Sequence, residues 1–206
     1  MSVYTKAKFI LAAEEYVHLP PDTGIEVAFG GRSNAGKSSA LNTITNQQSL
    51  ARTSKTPGRT QQILYFQLDE KRHLVDLPGY GFAKVPLSRK EHWQRFMEEY
   101  FTRRKALRGL ILLIDVRHPL KDFDLQMLEW CDMNNLAVHV LLTKADKLSR
   151  GAAKQQLLKV TPEIKERCAK ASVQLFSSLK KTGLEDVHHI LNQWFEYPEK
   201  EKLTKK

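Results

Sequence analysis

The stretch Gly31-Arg32-Ser33-Asn34-Ala35-Gly36-Lys37-Ser38 constrains this chain more than any other, because it fits G-x-x-x-x-G-K-[ST] and directly follows an apolar run, residues 25–29. A glycine-rich loop in that place joins a strand to a helix, here residues 39–45. It aims successive backbone N–H groups at phosphate oxygens, and the helix N-terminus adds partial positive charge. In such a cradle Lys37 reaches the β- and γ-phosphates, and the Ser38 hydroxyl ligates Mg²⁺.

The rest of the chain repeats the same alternation. Short apolar runs are separated by longer amphipathic ones, the pattern of an α/β fold with parallel strands joined by crossover helices. The runs predict six strands, at 25–30, 63–68, 73–76, 110–115, 137–143 and 173–177. The second and third are separated only by Asp69-Glu70-Lys71-Arg72 and read as a hairpin, so one edge strand is expected to run antiparallel. Ser88-Arg89-Lys90-Glu91 reads as a capping box, after which Trp93, Phe96, Met97, Tyr100 and Phe101 recur at helical spacing as a core face. Leu184, Val187, Ile190, Leu191 and Trp194 do the same on the last helix. Segments 46–60 and 79–87 have no periodicity and follow elements that would touch phosphate, so they are read as two nucleotide-dependent switches.

Composition narrows the class. A chain of 206 residues with 41% hydrophobic content suits one compact domain. The core domain is expected over 25–198, with residues 1–24 as an extension packing on it and 199–206 as a charged, flexible tail. No apolar run approaches the roughly 20 residues of a membrane span. Phe9-Ile10-Leu11-Ala12-Ala13 is too brief for a secretory leader and is followed at once by Glu14 and Glu15. A cytoplasmic protein without membrane association is expected. Cys131 and Cys168 stand on different expected helices without a C-x-x-C or a nearby His set, which indicates neither zinc nor a disulfide framework. Lys and Arg number 33 against 23 Asp and Glu, a net charge of +10 that attracts polyanions. A solvated surface and an RNA-facing patch both account for that charge.

Two further motifs decide which nucleotide is bound. Asp76-Leu77-Pro78-Gly79 ends an expected strand, so the Asp76 carboxylate can support Mg²⁺ through water and the Gly79 N–H can contact the γ-phosphate. Thr143-Lys144-Ala145-Asp146 ends another. The Asp146 carboxylate can accept two hydrogen bonds from guanine N1–H and the 2-amino group, donors that adenine lacks. A carboxylate left unpaired by adenine costs about 1–3 kcal/mol, which favours GTP over ATP. Lys144 lays its aliphatic stem along the base. Position 143 carries Thr where N-K-x-D would have Asn, keeping a hydroxyl to brace the neighbouring loop. A backbone N–H at the end of the last strand, in Phe176-Ser177-Ser178, is placed for guanine O6. A bare D-x-x-G is weak by itself; following the loop at 31–38 and preceding Thr143 to Asp146, it becomes one member of an ordered, specific set.

These residues, with Ala51-Arg52-Thr53-Ser54-Lys55-Thr56-Pro57-Gly58-Arg59-Thr60-Gln61, Asp76-Leu77-Pro78-Gly79-Tyr80-Gly81 and Asp115-Val116-Arg117-His118-Pro119-Leu120-Lys121-Asp122, resemble the EngB (YihA/YsxC) family of bacterial ribosome-biogenesis GTP-binding proteins, within the TRAFAC class. The resemblance covers nearly the whole chain, and Thr at position 143 is usual in that family. It implies a three-layer P-loop GTPase fold: a mostly parallel six-stranded sheet with one antiparallel edge strand and helices on both faces. It implies a nucleotide site formed by Gly31, Arg32, Ser33, Asn34, Ala35, Gly36, Lys37 and Ser38; by Gly58, Arg59, Thr60, Gln61 and Gln62; by Asp76, Leu77, Pro78 and Gly79; and by Thr143, Lys144, Ala145, Asp146, Phe176, Ser177 and Ser178. Ser38 and Thr60 become the Mg²⁺ ligands. Lys37, Thr60 and Asn34 become the catalytic set, Asn34 by holding a potassium ion that supplies positive charge to the transition state.

The implied function is a GTP/GDP switch in assembly of the large (50S) ribosomal subunit, with rRNA and ribosomal proteins as partners, a monomeric state, and a role in cell division and septation. The alternative is a signalling GTPase that acts on a protein effector in division without touching rRNA. A small-molecule kinase using the same phosphate loop has no need of Asp146. Tyr80 stands where many signalling GTPases place a water-orienting Gln, so intrinsic hydrolysis is expected to be slow.

Overall fold

The structure is a computed structural model and describes residues 2–51, 62–80 and 87–198, without the side chains of 87–90. Gly58, Arg59, Thr60 and Gln61, most of the two expected switches and the tail 199–206 lie outside the described residues. Seven strands form one sheet: β1 (Lys8–Ala13), β2 (Ile25–Gly31), β3 (Ile63–Gln67), β4 (Arg72–Asp76), β5 (Leu107–Asp115), β6 (Ala137–Thr143) and β7 (Ser172–Leu175). Their order across the sheet is β1-β3-β4-β2-β5-β6-β7. Among the described residues the helices are α1 (Lys37–Thr45), α2 (Leu87–Arg103), α3 (Asp122–Met133), α4 (Arg150–Arg167) and α5 (Leu184–Trp194). No described helix is long and apolar enough to cross a membrane.

The central strands are covered on both faces, which is why they read as unbroken apolar runs rather than alternating ones. All seven residues of β2 are buried. Side-chain alternation divides them between two cores. Ala28, Leu110, Leu112, Val140 and Leu142 face one core with the buried α2 residues Trp93, Phe96, Met97, Tyr100 and Phe101. Val27, Phe29, Ile111, Leu113 and Leu141 face the other, with Val187 and Leu191 of α5. Both helix faces expected from periodicity are therefore core. Cys131 and Cys168 are free and buried in the first cluster.

Three expectations need correction. The sheet has seven strands, because Lys8–Ala13 pairs antiparallel with β3, from Lys8 opposite Gln67 to Ala13 opposite Ile63. A register irregularity between Phe9 and Leu11 leaves Phe9 and Ile10 both exposed, which erases the two-residue alternation that marks a strand. β3 does run antiparallel to β4, but β1 covers it, so the antiparallel strand is interior and β1 is the edge. Ser88, expected to cap α2 from outside, falls within the helix as described, Leu87–Arg103.

The N-terminal segment is tied in again through Tyr4, which is buried on a short 3₁₀ turn (Val3–Lys6), stacks on His188 and donates to Asn192 Oδ1 at 2.7 Å. Gln47, just past α1, donates to the Thr5 and Ala7 carbonyls.

Candidate nucleotide-binding site

Three strand ends and the loop after β2 meet at one edge of the sheet. Gly31 closes β2 where a Cβ would sit 2.7 Å from the Leu113 carbonyl oxygen, so only glycine fits this approach to β5. The loop then takes the left-handed region at Asn34 (φ 64°) and Gly36 (φ 96°), and α1 starts at Lys37. Ser33 N–H donates to the Tyr80 carbonyl at 2.9 Å and Ala35 N–H to the Arg32 carbonyl at 3.0 Å. These two bonds fix the curve of the loop ahead of α1, a nine-residue helix whose N-terminus carries partial positive charge.

Asp76 ends β4 beside this loop, held there by the β2–β4 register that sets Phe29 opposite Asp76. Its carboxylate is ion-paired with the Lys37 ammonium, both side chains largely buried. Burial raises the Asp76 pKa and the lysine opposes that rise. Leu77 N–H continues the ladder by donating to the Phe29 carbonyl at 2.9 Å, which fixes the path into Pro78 and Gly79.

The segment Thr143 to Asp146 is joined to the loop 31–38 by side chains. Thr143 Oγ1 donates to the Ala35 carbonyl at 2.6 Å, and it lies 3.2 Å from that of Ile114; the hydroxyl brace expected at this position is present. Lys144 is left-handed (φ 58°), and its Nζ donates to the Asn34 carbonyl at 2.6 Å. Ala145 N–H donates to the Phe176 carbonyl at 3.1 Å, which seats the 3₁₀ turn Ala145–Lys147 on the end of the last strand. The Asp146 carboxylate, only 10% exposed, accepts from Ser177 Oγ at 2.6 Å. Ser177 Oγ in turn accepts from Lys180 N–H at 3.1 Å.

The structure thus brings together the loop 31–38, Asp76, Thr143 to Asp146 and Ser177. Gln62 precedes β3 at this same end of the sheet, since Leu64 lies opposite Asp76, but β4 stands between it and β2, and its amide donates to Glu14 at 2.9 Å. Two features were missed. Ser177, in a segment expected to serve the base through a backbone N–H, most of all that of Ser178, donates its hydroxyl to Asp146. Tyr80 turns into the core, 3% exposed, and donates to Asp124 Oδ1 at 3.1 Å with Trp93 and Phe123 against its ring. Burial, with the Asp124 carboxylate beside it, pushes its phenol well above the ordinary range. The signal for the first was a Ser closing an apolar strand; for the second, an aromatic where a polar residue would sit in solvent.

A glycine-rich loop at a helix start, tied by the Thr143 hydroxyl and the Lys144 ammonium to the segment that carries the buried Asp146 carboxylate, all at the carboxyl ends of a largely parallel sheet, is the arrangement of the P-loop GTPases. The same fold is found in the crystal structure of a probable GTP-binding protein engB, with a TM-score of 0.62 at 19% identity over 84% of this chain and 100% of that one. Bacterial selenocysteine-specific elongation factor EF-Sec shares it at 0.60 and 18%, over 84% of this chain and 29% of that one. The family model described as 50S ribosome-binding GTPase matches residues 26–144. A probable GTP-binding protein EngB from Alteromonas mediterranea is 56% identical over 195 residues, covering 95% of this chain and 92% of its own. An Escherichia coli protein of the same name is 56% identical over 192 residues, covering 93% and 91%. The chain belongs to the EngB family of GTP-binding proteins.

Proposed function

We propose that this protein is a GTP-operated switch that binds the assembling large ribosomal subunit in its GTP form and leaves after slow hydrolysis, with normal cell division and septation depending on it. The observation that carries the nucleotide part is the Asp146 carboxylate, pre-aimed by Ser177 and linked to the phosphate loop through Thr143 and Lys144. The ribosomal part is supported by the family's description and by the net charge of +10, which suits an rRNA partner.

The chemistry follows from the residues in place. Lys37 exchanges the Asp76 carboxylate for the β- and γ-phosphate oxygens, and the nest amides hold the triphosphate in line. The donor set fits Mg²⁺: the Ser38 hydroxyl on the first turn of α1 and the Asp76 carboxylate are hard oxygens at the cradle, and Thr60 would add a third. Among the described residues no group of three or more His, Cys, Asp or Glu is placed to hold a metal, and Mg²⁺ bound largely by substrate phosphates needs none. When bound, the ion neutralises charge on the β- and γ-oxygens. Asn34 is exposed on the loop and is the residue we assign to potassium, so hydrolysis is expected to run faster in KCl than in NaCl. Tyr80, turned away toward Asp124, orients no water. Turnover of the isolated protein should therefore fall far below the roughly 10 s⁻¹ typical of enzymes.

Two measurements test this reading. Calorimetry should show GTP and GDP binding at least tenfold tighter than ATP, with Asp146→Asn losing that preference; a mutant that still selects guanine removes the base-recognition argument. Large-subunit precursors should be recovered with protein loaded with a non-hydrolysable GTP analogue. Equal recovery with GDP rules out the switch, and recovery indifferent to salt points instead to a protein effector.

A further inference from the structure

Asp115, the last residue of β5, lies opposite Thr143 in the β5–β6 register, so its carboxylate stands beside the base-reading segment. The side chain is 15% exposed. Oδ1 accepts from Arg117 N–H at 3.0 Å and Arg117 Nε at 2.9 Å, and Oδ2 accepts from Arg117 Nη2 at 2.6 Å. Oδ2 also meets Lys144 Nζ at 2.9 Å. The same ammonium donates to the Asn34 carbonyl, so Lys144 spans from β5 to the phosphate loop with its tip fixed at both ends. Burial works to raise the Asp115 pKa, but the hydrogen bonds from Arg117 and Lys144 outweigh it and hold the group well below the ordinary carboxylate range.

A lysine has a flexible four-carbon stem and ordinarily loses substantial rotamer freedom when a ligand immobilises it. Here that freedom is already lost in the protein alone, because a carboxylate and a backbone oxygen fix the ammonium. The Arg117 fork matches the carboxylate in a planar, bidentate way, which keeps Asp115 from swinging out of reach of Lys144.

We propose that Asp115 is a positioning residue for guanine-nucleotide binding, acting through Lys144: it fixes the lysine tip so that the aliphatic stem lies flat along the base, and Arg117 holds Asp115 in register. The proposal rests on the nucleotide reading above. Because the contact is to the base face, it strengthens GTP and GDP binding equally and adds nothing to discrimination against adenine, which remains with Asp146.

The test is a double-mutant cycle read by dissociation of a fluorescent GDP analogue from the full-length protein. Asp115→Asn should speed dissociation about tenfold, equally for GTP and GDP, with the GTP-to-ATP preference unchanged. Lys144→Met should do the same, and the double mutant should be no more than about twofold faster than Lys144→Met alone. Arg117→Gln, on the surface, should give a smaller change in the same direction that also vanishes in the Lys144→Met background; it serves as the decisive pair if Asp115→Asn does not fold. Additive effects in either pair overturn the proposal, as does a change confined to GTP or a lost preference over ATP. Wild-type protein that does not prefer guanine over adenine would instead sink the nucleotide reading itself.

Discussion

Glu26 and Asp76 are both buried carboxylates on the central sheet, on paired strands and three register positions apart, about 10 Å at roughly 3.3 Å per residue. They have opposite fates. Glu26 accepts from the Tyr65 and Tyr100 hydroxyls, each at 3.1 Å, and pairs with Arg104 Nη2 at 2.5 Å. Arg104 spends further donors on the Pro20 and Pro21 carbonyls, so the charge is enclosed by groups from β3, α2 and the segment before β2. Asp76 is met by Lys37, a long side chain at the start of α1, on the loop proposed above to cradle phosphate. A buried charge whose partners have no other task fastens a fold. One whose partner is wanted by a ligand is poised to exchange.

The sharpest way to break that contrast is to remove each basic partner in turn. Arg104→Met leaves Glu26 buried and uncompensated, and should cost about 3–5 kcal/mol of stability, while the folded fraction binds nucleotide within about twofold of wild type. Urea denaturation alongside a binding titration checks both halves. Lys37→Met should show the reverse: a stability loss under about 2 kcal/mol, since Asp76 lies at the sheet edge and can take up a proton, with GTP affinity reduced about a hundredfold. Comparable destabilisation by both would erase the distinction.

Two smaller changes refine it. Tyr80→Phe removes the phenol from buried Asp124 and should cost about 1 kcal/mol, leaving hydrolysis within about twofold of wild type; a tenfold slower rate would place this hydroxyl in the chemistry. The least effect comes from a buried polar group far from either charge. His139 lies between Ser172 Oγ and Gln174 Oε1, both at 2.7 Å. Gln174 Nε2 donates to the Gly183 carbonyl, so its oxygen faces the ring and accepts from the imidazole Nε2–H. Burial lowers the His139 pKa. The unfolded chain therefore binds a proton that the native state refuses, and stability falls as pH drops below about 6.5 toward the folded value. His139→Gln should flatten that slope between pH 7 and pH 5 in urea titrations.

What was legible in the chain was whatever a short stretch encodes alone: the glycine spacing of 31–38, the 3.6-residue face of α2, the turn between β3 and β4. Pairings across the sheet were not. Nothing near Asp115 says that its carboxylate will meet Lys144, because the two become neighbours only through the β5–β6 register. Glu26 sits unannounced in an apolar run, and its partners are 39, 74 and 78 positions away. β1 escaped because its irregular register removes the alternation, and Tyr80 because a phenol after Gly79 reads equally well as a loop residue or a core one.

The bond from Tyr4 to Asn192 joins positions 188 apart. A nascent chain can zip the middle of the sheet as it is made, yet the patch that receives Tyr4 does not exist until α5 has been synthesised. The Tyr4 contact with α5 is therefore made only after the strands between them exist, and removing Tyr4 would uncover His188 and Asn192 on that helix.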